Sequence, residues 1–515
     1  MSMLEVWFRQ SLIYRFVTAV INIINHSFFA RAFEYVGAVL TGGRVAAFLR
    51  RIASRRYEPY SSLVFRLLEY LNRKTMGFRD RMLDILKESF IYRILSESKA
   101  FNVINIFLVP CVAFYALIDE IGRDIAGDSS LFGLWDEAYL LICIVYVVLY
   151  WFFFRRESLS ITPLGAPMLL LISVSFFLFL VNSLYTRLGF DGMRVIVQYV
   201  LWFFVMNSFL TDDKKVYLVI RLLVYMGGLM GLHGIYQYII KVPTPAHWTD
   251  AAEGATGTRV FSFVESPNIL GSIFILLIPL CLSLVLQNDR DFLDRSLFLI
   301  LLGAMGISLI LTLSRGAWLG AAVALFVFCL SVNPRWLLLL MMGGSSVLLL
   351  PSVMARIKYM LSPQYLINSL TAGRLMRYQK GWQLFTENKL MGVGLGHFGG
   401  AVAMNNKKLI PDTFYMDNYW LKTMVEMGTI GTAAFGILIV SLIIWSVRSI
   451  RRCGDYSSRL VASGGFAGLC GVIVHNLVEN VFEVPYMVVY FWIIASIVLY
   501  FGFGREKYKQ GQINE

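Results

Sequence analysis

Three cationic side chains in the polar segment 354–417 are spaced to share one face of a short helix. Arg374 and Arg377 are one turn apart, and Lys380 follows at the same spacing. The guanidinium group of arginine donates two parallel hydrogen bonds to a phosphate. Free N–H groups at the start of this helix, near residues 371–373, would add affinity for an anion. The pattern predicts an anion site, and the alternative is a solvated helix face.

Two further arginines precede apolar stretches. Arg315 stands in SRGAWLG, where the small residues that follow permit close approach of helices. It is either a membrane anchor or an anion ligand. Arg259 lies in TRVFSFVESPNILG, just before an apolar stretch that begins near Pro267, and its alternative is a solvated loop charge. If Arg315 meets the cations of segment 354–417, the group forms a site for a diphosphate.

Carboxylates and a histidine at the ends of apolar stretches are candidates for proton transfer. Asp417 precedes the apolar segment 418–447. It is either a general base that accepts a proton from a sugar hydroxyl, or the cap of the following helix. His475, Glu479 and Glu483 crowd the end of another apolar stretch. They line the same cavity or form an interfacial rim.

The segment MGVGLGHFGG, residues 391–400, combines five glycines with one histidine. The glycine run has the look of a phosphate cradle, although no lysine followed by serine or threonine comes after it, as in a P-loop. His397 within the run is more typical of a structural role than of catalysis. Further along, the spacing of Lys422 and Glu426 indicates an ion pair within one helix.

The elements that carry these residues are predicted to be membrane-spanning helices. The chain has 515 residues, of which 57% are hydrophobic and 15% are charged, whereas soluble domains are about 45–50% apolar and about 25% charged. The excess lies in runs of about 20 residues, which is enough to cross a bilayer. Hydropathy predicts about twelve spans, near 101–118, 138–154, 166–185, 195–210, 216–240, 267–286, 296–313, 316–331, 336–353, 418–447, 460–477 and 485–503.

The predicted fold is an all-α polytopic integral membrane protein with a long external helical loop between the ninth and tenth spans. Placing both termini inside puts basic residues such as Lys214 and Arg451 in cytoplasmic segments, as the positive-inside rule requires. The net charge of +13 follows the loops, which argues against a nucleic acid partner. The expected organisation is a basic amphipathic cytoplasmic or membrane-surface region at 1–100, spans one to nine at 101–353, an external catalytic loop at 354–417, spans ten to twelve at 418–503, and a cytoplasmic tail at 504–515.

Four stretches in this order resemble the O-antigen ligase and polysaccharide polymerase superfamily of bacterial cell envelopes. They are TRVFSFVESPNILG, TLSRGAWLG, the loop from TAGRLMRYQKGW to MGVGLGHF, and DNYWLKTMVEMGTIG. The resemblance covers roughly residues 190–500. It implies a metal-independent membrane glycosyltransferase of the GT-C kind that needs no cofactor. Ligases of this family open the last motif with a histidine, and Asp417 stands in that place, which favours a polymerase and leaves the identity of the base open.

The resemblance also implies a reaction and its partners. The donor would be a glycan carried on undecaprenyl diphosphate, and the acceptor a glycan or a lipid-linked glycan, at the outer face of the bacterial cytoplasmic membrane. Arg315 and Arg374 would hold the diphosphate. We expect catalytic roles for Asp417, Arg315 and Arg374, and substrate binding by Arg259, Arg315, Arg374, Arg377, Lys380 and His475.

Two other classes of protein remain open at this point. A transporter or flippase of lipid-linked glycans would also need cations near a diphosphate, although the sequence has no clear paired halves with interrupted helices. A non-catalytic membrane scaffold would use the region 1–100 to dock other envelope polysaccharide assembly proteins. The lipid bilayer is a partner in every case.

Overall fold

The computed structural model describes residue 35 and residues 63–89, 108–127, 132–154, 162–244, 258–288, 290–371 and 373–505. Regular structure in these residues is helical, and no strand occurs among them. The first nine helices are α1 (Leu63–Leu86), α2 (Tyr115–Ala126), α3 (Trp135–Phe154), α4 (Gly165–Val181), α5 (Thr186–Phe209), α6 (Asp213–Ile239), α7 (Pro267–Val285), α8 (Phe292–Leu311) and α9 (Arg315–Val332).

The second half continues with a run of short helices followed by three long ones. They are α10 (Leu337–Leu348), α11 (Pro351–Met360), α12 (Pro363–Thr371), α13 (Arg374–Glu387), α14 (Ala401–Asn405), α15 (Tyr419–Arg452), α16 (Tyr456–His475) and α17 (Pro485–Leu499). Single turns of 3-10 helix lie at Phe132–Leu134, Pro334–Trp336 and Val481–Glu483, and a π-helical turn at Tyr500–Gly504 extends α17. The predicted long helical loop therefore consists of α11 to α14.

Nine helices in the described part of the chain are long and apolar enough to cross a membrane, or ten if one bent pair forms a single span. The nine are α3, α5 to α9, and α15 to α17. Each of them coincides with one of the predicted spans. The protein is therefore a polytopic all-α membrane protein, with fewer clear spans in its described residues than the twelve predicted.

The other three predicted spans are not among these nine candidate spans, each for a separate reason. Residues 101–107 of the span predicted at 101–118 lie outside the described residues. The span predicted at 166–185 is α4, which has 17 residues and a length of about 26 Å. The span predicted at 336–353 breaks into α10 and α11, bent by 87°, because Leu350 precedes a proline and adopts an extended conformation.

The core of the bundle is built around α7 and α17, which are the most buried of the candidate spans. Helix α7 packs against α8, α9 and α16, and α17 packs against α5 and α16. Glycine permits such close approaches, because a Cβ at Gly464 of α16 would lie only 2.6 Å from the carbonyl oxygen of Pro279 in α7. As a result, the beginnings of α7 and α9 meet the end of α16 on one side of the bundle.

The predicted basic region 1–100 is described only at residue 35 and residues 63–89. Its apolar periodicity is confirmed there as helix α1. The guanidinium of Arg79 in α1 lies 5.5 Å from the ring of Trp151 near the end of α3. The remainder of the region, including its predicted docking role, lies outside the described residues.

Candidate functional site

Asp417 lies between two arginines of α13. Its Oδ2 atom is 2.7 Å from Nη1 of Arg377 and 3.6 Å from Nε of Arg374. The phenol of Tyr378, from the same helix, donates a 3.2 Å hydrogen bond to the carbonyl oxygen of Asp417. Burial raises the pKa of Tyr378 to about 12, so this phenol stays a donor at neutral pH. The start of α13 is thereby fastened to the chain just before α15.

Glu479 follows the end of α16 and is only 2% exposed. Its Oε2 atom accepts a 2.6 Å hydrogen bond from Nδ2 of Asn268 and lies 3.5 Å from Nη2 of Arg374. Burial raises the pKa of Glu479 to about 7; the cation of Arg374 opposes this rise and the charge of Asp417 adds to it. Arg374 therefore links two carboxylates that come from different elements.

Arg259 is buried and has specific partners. Its Nε donates a 3.0 Å hydrogen bond to the carbonyl oxygen of Thr312, and its Nη2 donates a 3.3 Å bond to Oδ1 of Asn268. Only 8% of Arg259 is exposed. The alternative of a solvated loop charge is therefore wrong. Asn268, in the first turn of α7, joins Arg259 to Glu479 through the two ends of its side-chain amide.

Backbone strain is concentrated next to these residues. Ser262, Glu265 and Leu313 adopt positive φ angles of 53°, 52° and 53°, a region that non-glycine residues rarely occupy. The amide side chain of Gln237 holds the first of them, because its Oε1 accepts the N–H of Ser262 at 2.8 Å and its Nε2 donates to the Ser262 carbonyl at 3.2 Å. Strain of this kind is often found at binding and catalytic sites.

Arg315 begins α9, and its guanidinium lies over the ring of Tyr365 in α12, 5.0 Å from the ring centre. Tyr365 also interacts electrostatically with Arg374. The Oγ atom of Ser314 accepts the N–H of Ala317 and caps the helix. Arg315 and Arg374 therefore both interact with Tyr365.

His475 ends α16 and is 1% exposed. Its Nδ1 lies 2.9 Å from Oγ of Ser272 in α7. A Cβ on Gly316 would lie 3.0 Å from Nε2 of the histidine, so the glycine next to Arg315 leaves room for the imidazole. His475 thus lies between the beginnings of α7 and α9, beside the arginines.

Two of the alternatives for site residues are resolved by local geometry. The cap of α15 is Asn418, whose Oδ1 accepts the N–H of Leu421 at 2.9 Å, so the interpretation of Asp417 as a helix cap is wrong. Lys380 is exposed, and the ion pairs that the structure describes for α13 are made by Arg374 and Arg377. Among the described residues, Lys380 is therefore not part of the ion-paired group that Arg374 and Arg377 form.

A second buried charge cluster fastens the loop to α15. Nζ of Lys422 lies 2.6 Å from Glu426 and 2.7 Å from Glu483, which confirms the predicted ion pair and adds a partner. The two carboxylates accept backbone N–H groups from the loop, Glu426 from Phe398 at 3.2 Å and Glu483 from Ala401 at 2.9 Å. We call Lys422, Glu426 and Glu483 the lysine triad.

The glycine run pairs with a break in α15. Gly428 has φ 60° and ψ −161°, which interrupts the helix. The carbonyl oxygens of Val425 and Glu426 accept the N–H groups of Val393 and Gly394 at 2.8 and 3.1 Å. These loop N–H groups are therefore occupied by the protein, and the comparison with a phosphate cradle is wrong at these positions.

His397, within the same run, has structural contacts. Its Nδ1 lies 2.7 Å from the carbonyl oxygen of Leu395, and its Nε2 lies 3.2 Å from the backbone nitrogen of Tyr185. The nitrogen at Nε2 accepts the Tyr185 N–H, so Nδ1 carries the proton that it donates to Leu395. The structural role predicted for His397 is confirmed.

Six ionised side chains are joined at this end of the bundle, directly or through Asn268 and Tyr365. We call them the arginine–carboxylate cluster, and its members are Arg259, Arg315, Arg374, Arg377, Asp417 and Glu479. Four cations and two anions leave a formal charge of +2. A partly buried site of this charge and hydrogen-bonding capacity suits an anion that accepts several hydrogen bonds.

The fold and the site together define a multi-pass membrane protein with a polar, cationic site at one end of its helix bundle. Residues 298–436 match the family model described as O-antigen ligase, and this match supports membership of the chain in the O-antigen ligase superfamily. The match supports a glycan ligase or polymerase type of function that uses lipid-linked glycans at a membrane. No curated protein sequence matches the chain.

The matched residues include Arg315, Arg374 and Asp417 but end before Glu479. The sequence did not predict the contacts that Glu479 and Asn268 make in the site. Their signal was polarity at the ends of apolar stretches, in SPNILG and HNLVEN. Tyr365 had no comparable signal, because an aromatic residue at a membrane interface is ordinary.

Proposed function

We propose that the protein is a glycosyltransferase that polymerises or ligates oligosaccharides carried on undecaprenyl diphosphate, on the outer face of the bacterial cytoplasmic membrane. The observation that carries the proposal is the arginine–carboxylate cluster, within and beside the segment that matches the O-antigen ligase family. The family match supports a lipid-linked glycan as substrate, and the cluster supports the diphosphate as the group that is bound.

A diphosphate diester carries about two negative charges at neutral pH, which equals the formal charge of the cluster. Arg374 is the natural ligand, because its side chain is one-third exposed and paired with Asp417 and Glu479 at 3.5–3.6 Å. These separations are longer than a charge-assisted hydrogen bond. A diphosphate oxygen is thus able to replace the carboxylates as the partner of Arg374, and Arg315, over the ring of Tyr365, is the second candidate ligand.

The proposed reaction transfers the glycan from the lipid diphosphate to the acceptor hydroxyl, with one bond formed and one broken at the anomeric carbon. The acceptor hydroxyl oxygen attacks the anomeric carbon of the donor, and the bond from that carbon to the diphosphate oxygen breaks. The electron pair of that bond leaves with the lipid diphosphate, and the hydroxyl proton passes to a protein carboxylate. The arginines lower the barrier by stabilising the charge that develops on the leaving group.

The charges at the other end of the bundle support the proposed orientation. Arg505 pairs with Asp213 at 2.6 Å and also with Asp455, at the beginnings of α6 and α16. Arg451 and Arg452 end α15 at the same side. The site lies at the opposite ends of α15 and α16, and the positive-inside rule therefore favours the outer face for it.

A transporter of the same lipid remains the second candidate, because one observation favours it. The interruption of α15 at Gly428 is an interrupted helix of the kind found in transporters, contrary to the expectation from sequence. However, the carbonyl groups of Val425 and Glu426 at this break are paired with the loop. They are therefore occupied and do not form a coordination site for a substrate or ion.

Binding of the lipid product tests the proposal without knowledge of the sugar. Undecaprenyl diphosphate should bind the purified protein in detergent more tightly than undecaprenyl monophosphate. Arg374→Ala should weaken binding of the diphosphate by about ten- to a hundredfold, because it removes a hydrogen-bonding charge worth about 1.5–3 kcal/mol. Lys380→Ala is the matched control from the same helix and should bind normally. Equal affinity for the two lipids, or no effect of Arg374→Ala, would refute the proposal.

A further inference from the structure

We propose that Glu479 is the group that accepts the proton from the acceptor hydroxyl, and that binding of the donor diphosphate prepares it for this role by drawing Arg374 away from it. The inference rests on the proposed function and assigns its missing base. The sequence named Asp417 as a candidate for that role and left the identity of the base open.

The contacts of the two carboxylates distinguish them. Asp417 makes a 2.7 Å ion pair with Arg377 and a second contact with Arg374, so both arginines of α13 engage its carboxylate. Glu479 has a neutral amide, Asn268, as its near partner at 2.6 Å, and Arg374 only at 3.5 Å. Asp417 is therefore suited to position the arginines, and Glu479 to take up a proton.

Several titratable groups surround Glu479. Arg374 and Asp417 face it from α13 and from the chain before α15, and the phenols of Tyr378 and Tyr415 interact with its charge. His475 lies one turn earlier in the chain, paired with Ser272. Burial holds the pKa of Glu479 at about 7, which is close to the value that suits a general base at neutral pH.

Arg374 connects donor binding to the base. In the structure, the cation lowers the proton affinity of Glu479. A diphosphate bound to Arg374 neutralises that cation, so the pKa of Glu479 rises when the donor is bound. The carboxylate becomes a stronger base only when there is a leaving group to displace. Because the pKa of Glu479 lies near 7 and rises on donor binding, binding at pH 7 should be accompanied by uptake of less than one proton per site, and higher pH then favours the unprotonated form that acts as the base.

Calorimetric titration of the purified protein with undecaprenyl diphosphate measures this uptake directly. The titration is repeated at pH 7 in two buffers with different enthalpies of ionisation, and the difference gives the number of protons taken up. Glu479→Gln keeps the acceptor oxygen for Asn268 and should bind the lipid, yet take up fewer protons than the unaltered protein. Glu387→Gln, which removes an exposed carboxylate from α13, is the matched control and should leave the proton uptake unchanged.

Transfer activity supplies the second measurement. Glu479→Gln should lower kcat by about a hundred- to ten-thousandfold, the usual effect of losing a general base, with retained affinity for undecaprenyl diphosphate. In the unaltered protein, kcat/KM should fall as the pH falls through about 7, because the base must be unprotonated in the free enzyme.

Each outcome bears on a different part of the account. Equal proton uptake by the unaltered protein and Glu479→Gln, with both binding the lipid, would overturn this inference alone. Failure of the unaltered protein to bind undecaprenyl diphosphate would overturn the proposed function. If Glu479→Gln does not fold, Glu479→Asp serves instead: its carboxylate is withdrawn by one methylene, so kcat should fall while the affinity for the lipid is retained. An unchanged kcat in that variant would contradict the role.

Discussion

Replacing Lys422 by methionine should loosen the loop that carries half of the site. Lys422 lies between Glu426 and Glu483 at 2.6 and 2.7 Å, and all three side chains are nearly inaccessible to solvent. Removing one partner from a buried charge cluster costs about 3–5 kcal/mol, because the remaining charges are left uncompensated. At about 1.4 kcal/mol for each factor of ten, the population of the open loop should rise by at least a hundredfold.

Hydrogen exchange measured by mass spectrometry in detergent detects this opening. The amides of Phe398 and Ala401 donate to the two carboxylates of the lysine triad, and their exchange in Lys422→Met should be at least a hundredfold faster than in the unaltered protein. Lys380→Met removes an exposed lysine from the same loop and is the control, with exchange unchanged. Exchange at Phe398 and Ala401 within about threefold of the unaltered protein would refute the view that the triad holds the loop.

Three further predictions follow from the geometry. Gly428→Ala should lower the unfolding temperature, because alanine at φ 60° costs about 1–2 kcal/mol and its Cβ would collide with the carbonyl oxygen of Leu390. Gly436 has open space around it, so Gly436→Ala is the control and should leave the unfolding temperature unchanged. Equal unfolding temperatures for the two variants would contradict this prediction. Arg315→Lys should retain insertion in the membrane but recover only part of the transfer activity, since lysine lacks the planar fork; full activity in a chain-length assay would disprove it. A single cysteine at Asn405 should react with an impermeant reagent in intact spheroplasts and one at Asp455 only after lysis, and the reverse pattern would overturn the orientation.

The long spans were predictable because each is a continuous apolar run. Nine predicted spans have counterparts in the described residues, and α13 begins next to the helix start predicted near residues 371–373. The break at Gly428 was not predictable, since a single glycine is common in membrane helices. The break is recognisable only in the folded structure, where the backbone of residues 389–394 forms hydrogen bonds with the backbone groups of α15 next to the break.

The sequence predicted the cationic residues of the candidate site but did not predict which carboxylates pair with them. The spacing of Arg374 and Arg377 in α13 placed both on one face, and that face does contact Asp417. The contacts of Glu479 join residues 105 and 211 positions apart. Local patterns carry no information about pairs at such separations, so the assignment of Asp417 over Glu479 from sequence used position alone.

Solvent exposure distinguishes charged residues that the sequence pattern did not distinguish. Lys380 has the same helical spacing as Arg374 and Arg377, yet it faces solvent. From sequence, Arg259 was equally consistent with a solvated loop charge, yet it is buried and hydrogen-bonded to Thr312 and Asn268. A charge in a loop is therefore informative only once its surroundings are known, because burial requires a partner and solvent does not.

The most direct test of the central claim is transfer by the purified protein alone. The protein is placed in liposomes with the undecaprenyl-diphosphate-linked oligosaccharide extracted from cells that make it, and the glycan and lipid products are separated. The account predicts a lengthened or transferred glycan together with an equal amount of released undecaprenyl diphosphate, both lost in Arg374→Ala. A donor that crosses the bilayer chemically unchanged, or one that stays intact while the protein binds it, would contradict the assignment of this site to glycosyl transfer.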